Sequence, residues 1–444
     1  MGAVKGQEAT LQVAMVCLDE LVPEDCRYRR LDRLVEWSFV REAAVPYYAD
    51  EVGRPSIDPI VLVKLMVAAA LEGVGSAREL CRVASVRLDL RRFLGYGFHE
   101  RLPAHQTLSH AQTRRFVDGV LFERLFLRSV ALCCEHGLVE GTHLSVDGFH
   151  AEANAALASL RASLALAAVE EPGGEQPAEP EQTLPVGLPQ LALAEPRSGP
   201  TPKRRSSNRT SVSRTDADAK LRGKPGQRPH LVYRGQVAVD PKARCVVACR
   251  GEQAAGYEGD ALEPILDRAR FACPELASVG ADSGFAAERV WRGLGRRGLI
   301  AYIPPQPTML PAGDAASDAQ REAVAARVRC KSEQGVWAHK QRMADAEGVI
   351  SELKNRHGLD RARSRGTPLF HLQLLLGCAA LNCKRLADHV REATSGIAAA
   401  PAAAALDLSA AAAVSAAAPA AGAATTATAS TACPRTWSYS VCLN

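Results

Sequence analysis

From about residue 21 to residue 140 the apolar positions recur at helical spacing. In PEDCRYRRLDRLVEWSF, Leu31, Leu34 and Trp37 fall three residues apart, which places them on one face of a helix. Asp58-Pro59 opens PIVLVKLMVAAALEGV as an N-cap followed by a first-turn proline, the arrangement favoured at a helix start. Ser76-Ala77-Arg78-Glu79 has the spacing of a capping box, and a long amphipathic run from about Ser109 stops at Gly137, a C-terminal cap. The pattern predicts a loose N-terminus over 1–20 and an all-α N-terminal domain over 21–140.

At Thr142 the period changes from three or four to two. His143 to Asp147 alternate polar and apolar residues, as a half-buried strand does. Residues 150 to 168 are compatible with a helix, and 169–202 are too rich in Pro, Glu and Gly to fold, so a disordered insertion is expected there. Strands resume at His230–Asp240 and Arg244–Arg250, joined by a hairpin-like turn. Helix and strand then alternate: helix Asp260–Phe271, strand Leu276–Asp282, helix Ala286–Arg297, strand Leu299–Ile303. Residues 304–335 read as a loop with a short helix, Met343–Arg356 as a helix, and Thr367-Pro368 as the start of another. The sum is a catalytic-type α/β domain over 141–392, a mixed sheet with one antiparallel hairpin, followed by a low-complexity, Ala-rich tail over 393–444.

Composition changes this picture little. With 444 residues, 47% apolar and 23% charged, the chain can bury a large core, and a net charge of +5 is too mild to prove a partner. The distribution is more telling, since residues 201–250 hold 13 Lys/Arg against three Asp/Glu. No run is apolar enough for a membrane span and the first residues do not resemble a signal peptide, so a soluble, cytoplasmic protein without a membrane partner is expected. The 13 cysteines include no CxxC pair, which argues against a zinc knuckle or disulfide framework. There is no GxxxxGK[ST], HExxH or GxSxG.

Candidate chemistry rests on three acids. Asp147 lies at the end of its strand on the face of His143 and Ser145, opposite Leu144 and Val146, and is expected to point away from the core. Asp282 ends ASVGAD and precedes Ser283-Gly284, at the carboxyl edge of the sheet where open α/β sheets bind ligands. On the helix from Met343, a wheel at about 100° per residue puts Met343, Ala346, Ile350 and Leu353 on the buried stripe. Glu347 and Lys354 then share the stripe's border, while Asp345 and Glu352 fall on the solvated face. Three carboxylates repel one another unless cations compensate, and hard divalent ions take oxygen ligands, so Mg²⁺, with Mn²⁺ as a substitute, is expected. Two such ions would serve an in-line phosphoryl transfer. Basic residues flank these acids: Lys354, Arg356, Arg361, Arg363 and Arg365 downstream, and the run Lys203, Arg204 and Arg205 upstream. Arg114 and Arg115 lie in a segment, Ser76–Phe116, with room for a helix-turn-helix. Each basic group taken alone reads as ordinary solvated surface; a polyanion such as double-stranded DNA is the partner that uses them together.

Several blocks together resemble the bacterial insertion-sequence DDE transposases. VDGFHAEANAA, SRTDADAKLRGKPGQRPHLVYRGQVAVD, GADSGFAAERVWRGLGRRGLIAYIP and AEGVISELKNRHGLDRARSRG are similar to their catalytic blocks, and GRPSIDPIVLVKLMVAAALEGVGSARELCRV and FLGYGFHERLPAHQTLS to their N-terminal domain. The likeness spans about 21–390 in the family's order. It implies an RNase H-like core, Mg²⁺-dependent strand cleavage and strand transfer at terminal inverted repeats, capture of target DNA, and a homodimer or higher assembly. By position, Asp147, Asp282 and Glu347 match the three acidic ligands, and Lys354 the downstream lysine expected to hold DNA phosphate. The chain departs from the related pattern with an arginine four residues before the glutamate: Met343 stands there and Arg342 one earlier. A catalytically inactive DNA-binding repressor and a metal-dependent nuclease are the alternatives.

Overall fold

In the computed structural model the described residues are 15–48, 56–162, 208, 211–223, 228–311 and 317–395. Lys203, Arg204 and Arg205, the insertion 169–202 and the tail beyond residue 395 lie outside the described residues.

The first part is helical: α1 (Leu18–Leu21), α2 (Arg27–Leu34), α3 (Ser38–Ala44), α4 (Pro59–Leu71), α5 (Ala77–Val86), α6 (Leu88–Leu94), α7 (His105–His110) and α8 (Val120–Glu135). Asp58 caps α4 by accepting from the Ile60 backbone N–H at 2.9 Å. At α5 only half of the expected capping box forms. Ser76 accepts from the Glu79 N–H, whereas the Glu79 carboxylate turns to Arg82. The run from Ser109 is not one helix either. A single π-helical turn over 111–115 is followed by Gly119 at φ +81°, and α8 starts afresh. A Cβ on Gly119 would come within 2.8 Å of Leu372, so packing by a later element places the break.

The sheet is built from β1 (His143–Glu152), β2 (Leu160–Ala162), β3 (Ser211–Ser213), β4 (Lys220–Arg222), β5 (His230–Asp240) and β6 (Cys245–Gln253), then α9 (Leu262–Ala269), β7 (Ser278–Gly280), α10 (Glu288–Arg296) and β8 (Ile300–Tyr302). β1 pairs antiparallel with β5, β5 antiparallel with both β4 and β6, and β1–β7–β8 are parallel; β2 and β3 form a separate two-stranded ladder. Three long antiparallel strands continued by two short parallel ones, with helices between and against them, form an RNase H-like mixed sheet preceded by helices. Residues 150–152 are therefore strand rather than helix, since β1 runs on to Glu152, where continued pairing with β5 satisfies its backbone; a short 3-10 turn over Leu157–Ser159 then leads into β2.

Beyond the sheet come α11 (Asp318–Lys331), α12 (Glu333–Arg356) and α13 (Thr367–Ser395). The segment expected to be mostly loop is thus mostly helix, because Ser317 and Gln320 make a full capping box at α11 and Ser332 caps α12 at once. α12 crosses β1, β5, β7 and β8, while α13 lies against β6, α8, α4 and α2. One buried apolar cluster runs from Tyr28 through the sheet to Ala387. Among the described residues no helix is long and apolar enough to cross a membrane.

Candidate active site

The register of the parallel strands brings the first two acids together. Ser145 of β1 is paired with Gly280 of β7. Two residues further along come Asp147 and Asp282; Asp147 lies midway along β1, which continues to Glu152 rather than ending there as expected, while Asp282 follows the end of β7, so the two acids stand on neighbouring chain segments. α12, lying across these strands, brings Glu347. The three acids line one open cleft of about 500 Å³, together with Arg342, Ser351, Lys354 and Asp360.

Asp147 is held on both oxygens: Oδ1 accepts from the Gly148 N–H at 2.7 Å and Oδ2 from Arg342 Nη1 at 2.6 Å. The second terminal nitrogen of Arg342 stands 3.1 Å from Glu347 Oε1. Asp282 Oδ1 accepts from the Gly284 N–H at 3.0 Å. Burial pushes the Asp147 carboxyl up to about 6; Arg342 opposes that rise, and the nearby charges of Asp282 and Glu347 add to it. The buried His143 of β1 shares a hydrogen bond with Ser278 of β7 and is lowered by burial to about 4.

Two expectations about orientation are corrected here. Asp147 does not point away from the core: it is 9% exposed, because α12 covers the face of β1 that carries His143, Ser145 and Asp147. The buried stripe of α12 is also turned by about one residue. It consists of Arg342, Asp345, Ala346, Val349 and Leu353, and Met343 is 51% exposed. Asp345 is buried and paired with Arg244 at 3.0 Å, and Glu352 is engaged by Lys384 and Arg385 of α13 rather than by water. Arg342 sits at the centre of this stripe, and an arginine in that position must find a carboxylate. That was the signal available in the sequence; centring the wheel on Met343 concealed it. Asp360, Ser351 and Asn355 of the cleft were likewise not anticipated.

The basic candidates separate into groups. Lys354 lines the cleft with its ammonium 5.8 Å from the Phe149 ring centroid. Arg361 and Arg365 are exposed and line a neighbouring groove of about 680 Å³ with Arg228, His230 and Asn154. Because Asp360 belongs to the cleft and Arg361 to the groove, the two adjoin. Arg356, Arg114 and Arg115 are exposed, Arg115 lying over Tyr48 at 4.7 Å. Arg363 differs: its guanidinium is turned inward against Gly358, with a buried Nη2, between the start of α13 and the turn after α4. It is half-buried, unlike the exposed Arg361 and Arg365.

Two family models match parts of the chain. Residues 16–114 match the family described as Transposase domain (DUF772), and residues 314–387, which include the Glu347 helix, match the Transposase DDE domain. The chain thus carries an N-terminal transposase domain and a C-terminal DDE transposase domain, the latter of the phosphoryl-transfer type. No curated protein matches it. A solved structure, the piggyBac transposase synaptic complex with hairpin DNA, aligns over 83% of this chain and 76% of its own at 10% identity, with a TM-score of 0.38.

Proposed function

We propose that this protein is a transposase that binds the terminal inverted repeats of a bacterial insertion sequence and catalyses divalent-metal-dependent cleavage and strand transfer of DNA. The observation that carries this reading is the convergence of Asp147, Asp282 and Glu347 on one cleft from the middle of β1, the end of the adjacent β7 and a crossing helix. The donor set fits a hard cation: three carboxylates, two of them close enough to raise the third's affinity for a proton. Among the described residues, though, no three His, Cys, Asp or Glu side chains are drawn together tightly enough to hold a metal by themselves. Asp147, Asp282 and Glu347 would hold Mg²⁺ or Mn²⁺, which supplies activation of a water or 3′-hydroxyl and steadies the departing oxygen. The Gly148 and Gly284 N–H groups fix the two aspartates. Lys354 places a cation on the cleft wall where a phosphate would lie, and Arg361, Arg365 and Arg228 extend that field along the groove. Double-stranded DNA, both element ends and target, is the partner, a homodimer or larger assembly holds the two ends, and the cytoplasm is the compartment. No protein acid becomes covalently linked to DNA.

The test is Mg²⁺-dependent nicking of DNA carrying the repeats that flank the gene. Asp147→Asn, Asp282→Asn and Glu347→Gln are each expected to lower nicking by about a hundredfold or more while leaving DNA retention in a gel shift unchanged. Undiminished nicking by any of the three removes that residue from the site. The lack of a ready three-ligand cage favours a second reading, a DNA-binding repressor without catalysis. Repeat-specific binding with no cleavage under either metal would establish it.

A further inference from the structure

We propose that Arg342 is a built-in counter-cation of the acidic cleft, a positioning residue that holds Asp147 and Glu347 together and competes with divalent metal for them. This rests on the reading of the three acids given above. The guanidinium spans the first and third acids, at 2.6 Å from one and 3.1 Å from the other. It is buried, and its Nε, also buried, has no partner. The two carboxylates are therefore what its terminal nitrogens are organised around. A buried arginine is tolerated only where anions compensate it, and clustered carboxylates only where a cation compensates them. Each half of the arrangement meets the need of the other.

The consequence is competition. A divalent ion held by these acids would need the oxygen lone pairs that the guanidinium now engages, and it would bring two positive charges where the arginine brings one. Arg342 itself lines the open cleft, so the guanidinium can leave the carboxylates by side-chain rotation into that space. Asp147 and Glu347 are thus spaced around a planar guanidinium rather than a point charge. Arg342 lowers the affinity for metal while keeping the carboxylates facing one another.

Calorimetric titration of Mn²⁺ and of Mg²⁺ into the full chain, without DNA, tests this. Arg342→Gln removes the charge and keeps much of the stem. It is expected to bind Mn²⁺ about tenfold more tightly than the parent chain. Its thermal midpoint without metal should fall below that of the parent, and the rise on adding Mn²⁺ should be larger. Arg342→Lys keeps the charge but loses the fork, and its affinity should lie between the two. Equal or weaker Mn²⁺ binding by both variants overturns the proposal, since a mere strut for Asp147 would loosen the acids when removed. Asp282→Asn separates this from failure of the underlying reading. If parent binding is unaffected by Asp282→Asn, the three acids do not hold the metal and both fall. If Asp282→Asn weakens binding but Arg342→Gln does not tighten it, only the role given to Arg342 falls.

Discussion

Asn382 shows how much one buried polar side chain can organise. Its Oδ1 accepts from the Val246 N–H at 2.9 Å, and its Nδ2 donates to the Val246 carbonyl at 2.8 Å and to Ser129 Oγ at 3.3 Å. β6 pairs with β5 on one side, and the amide of Asn382 caps the other side as a further strand would, which both satisfies the edge and blocks it. Asn382→Ala would leave a buried N–H and a buried carbonyl unpaired, so stability is expected to fall by about 3 kcal/mol. Denaturant titration followed by circular dichroism measures it, and a loss below about 1 kcal/mol would mean that water or a shifted helix replaces the amide. In the sequence Asn382 is one polar residue in a run of apolar ones, and nothing local distinguishes it from a tolerated exception. Asp147 and Asp282 were more legible, because each follows a period-two segment. Their standing on neighbouring chain segments was not, since it depends on the pairing of Ser145 with Gly280.

At the level of elements, α12 and α13 are joined by charge. Glu352 is engaged by Lys384 and Arg385, and the His357 ring lies 3.8 Å away. Its carboxyl is held far below the ordinary glutamate range, first by the neighbouring His357 ring and then, against the cost of burial, by Lys384 and Arg385. A carboxyl depressed in the folded state adds stability above its unfolded value near pH 4.3, and that contribution is lost as the pH falls further. Glu352→Gln should therefore cost about 1–2 kcal/mol at pH 7, allowing for partial exposure, and the difference from the parent should shrink steadily below about pH 4. Denaturation midpoints of the two proteins between pH 3 and pH 7 would reveal it, and parallel curves would exclude it. The wheel placed Glu352 in water because it treated α12 as having one buried face. The helix is packed by the sheet on one side and touched by α13 on another, and a periodicity argument assigns only one environment to each angle.

Across the whole molecule, the helical lobe and the sheet share their packing through α13, which touches β6, α8, α4 and α2 within a single apolar cluster. Separate melting of the two parts would expose the apolar faces of α4 and α8, so a single calorimetric transition is expected, with tryptophan fluorescence and far-ultraviolet ellipticity changing together; two resolved transitions would refute shared packing. What the sequence determined by itself is what depends on near neighbours: the helical lobe, the start of α4 behind Asp58-Pro59, the first half of β1 with Asp147, the runs of β5 and β6, and the acid that follows β7. Caps, periodicity and breakers act over a few residues, so they can be read without knowing the fold. Only the tertiary structure decided the break at Gly119 under Leu372, the strand identity of residues 150–152, the turn of α12 that buries Arg342 and Asp345, and the inward course of Arg363. In each of these the deciding atom belongs to an element remote in the chain, and burial of a charge or of a backbone amide is settled by the partner it meets there.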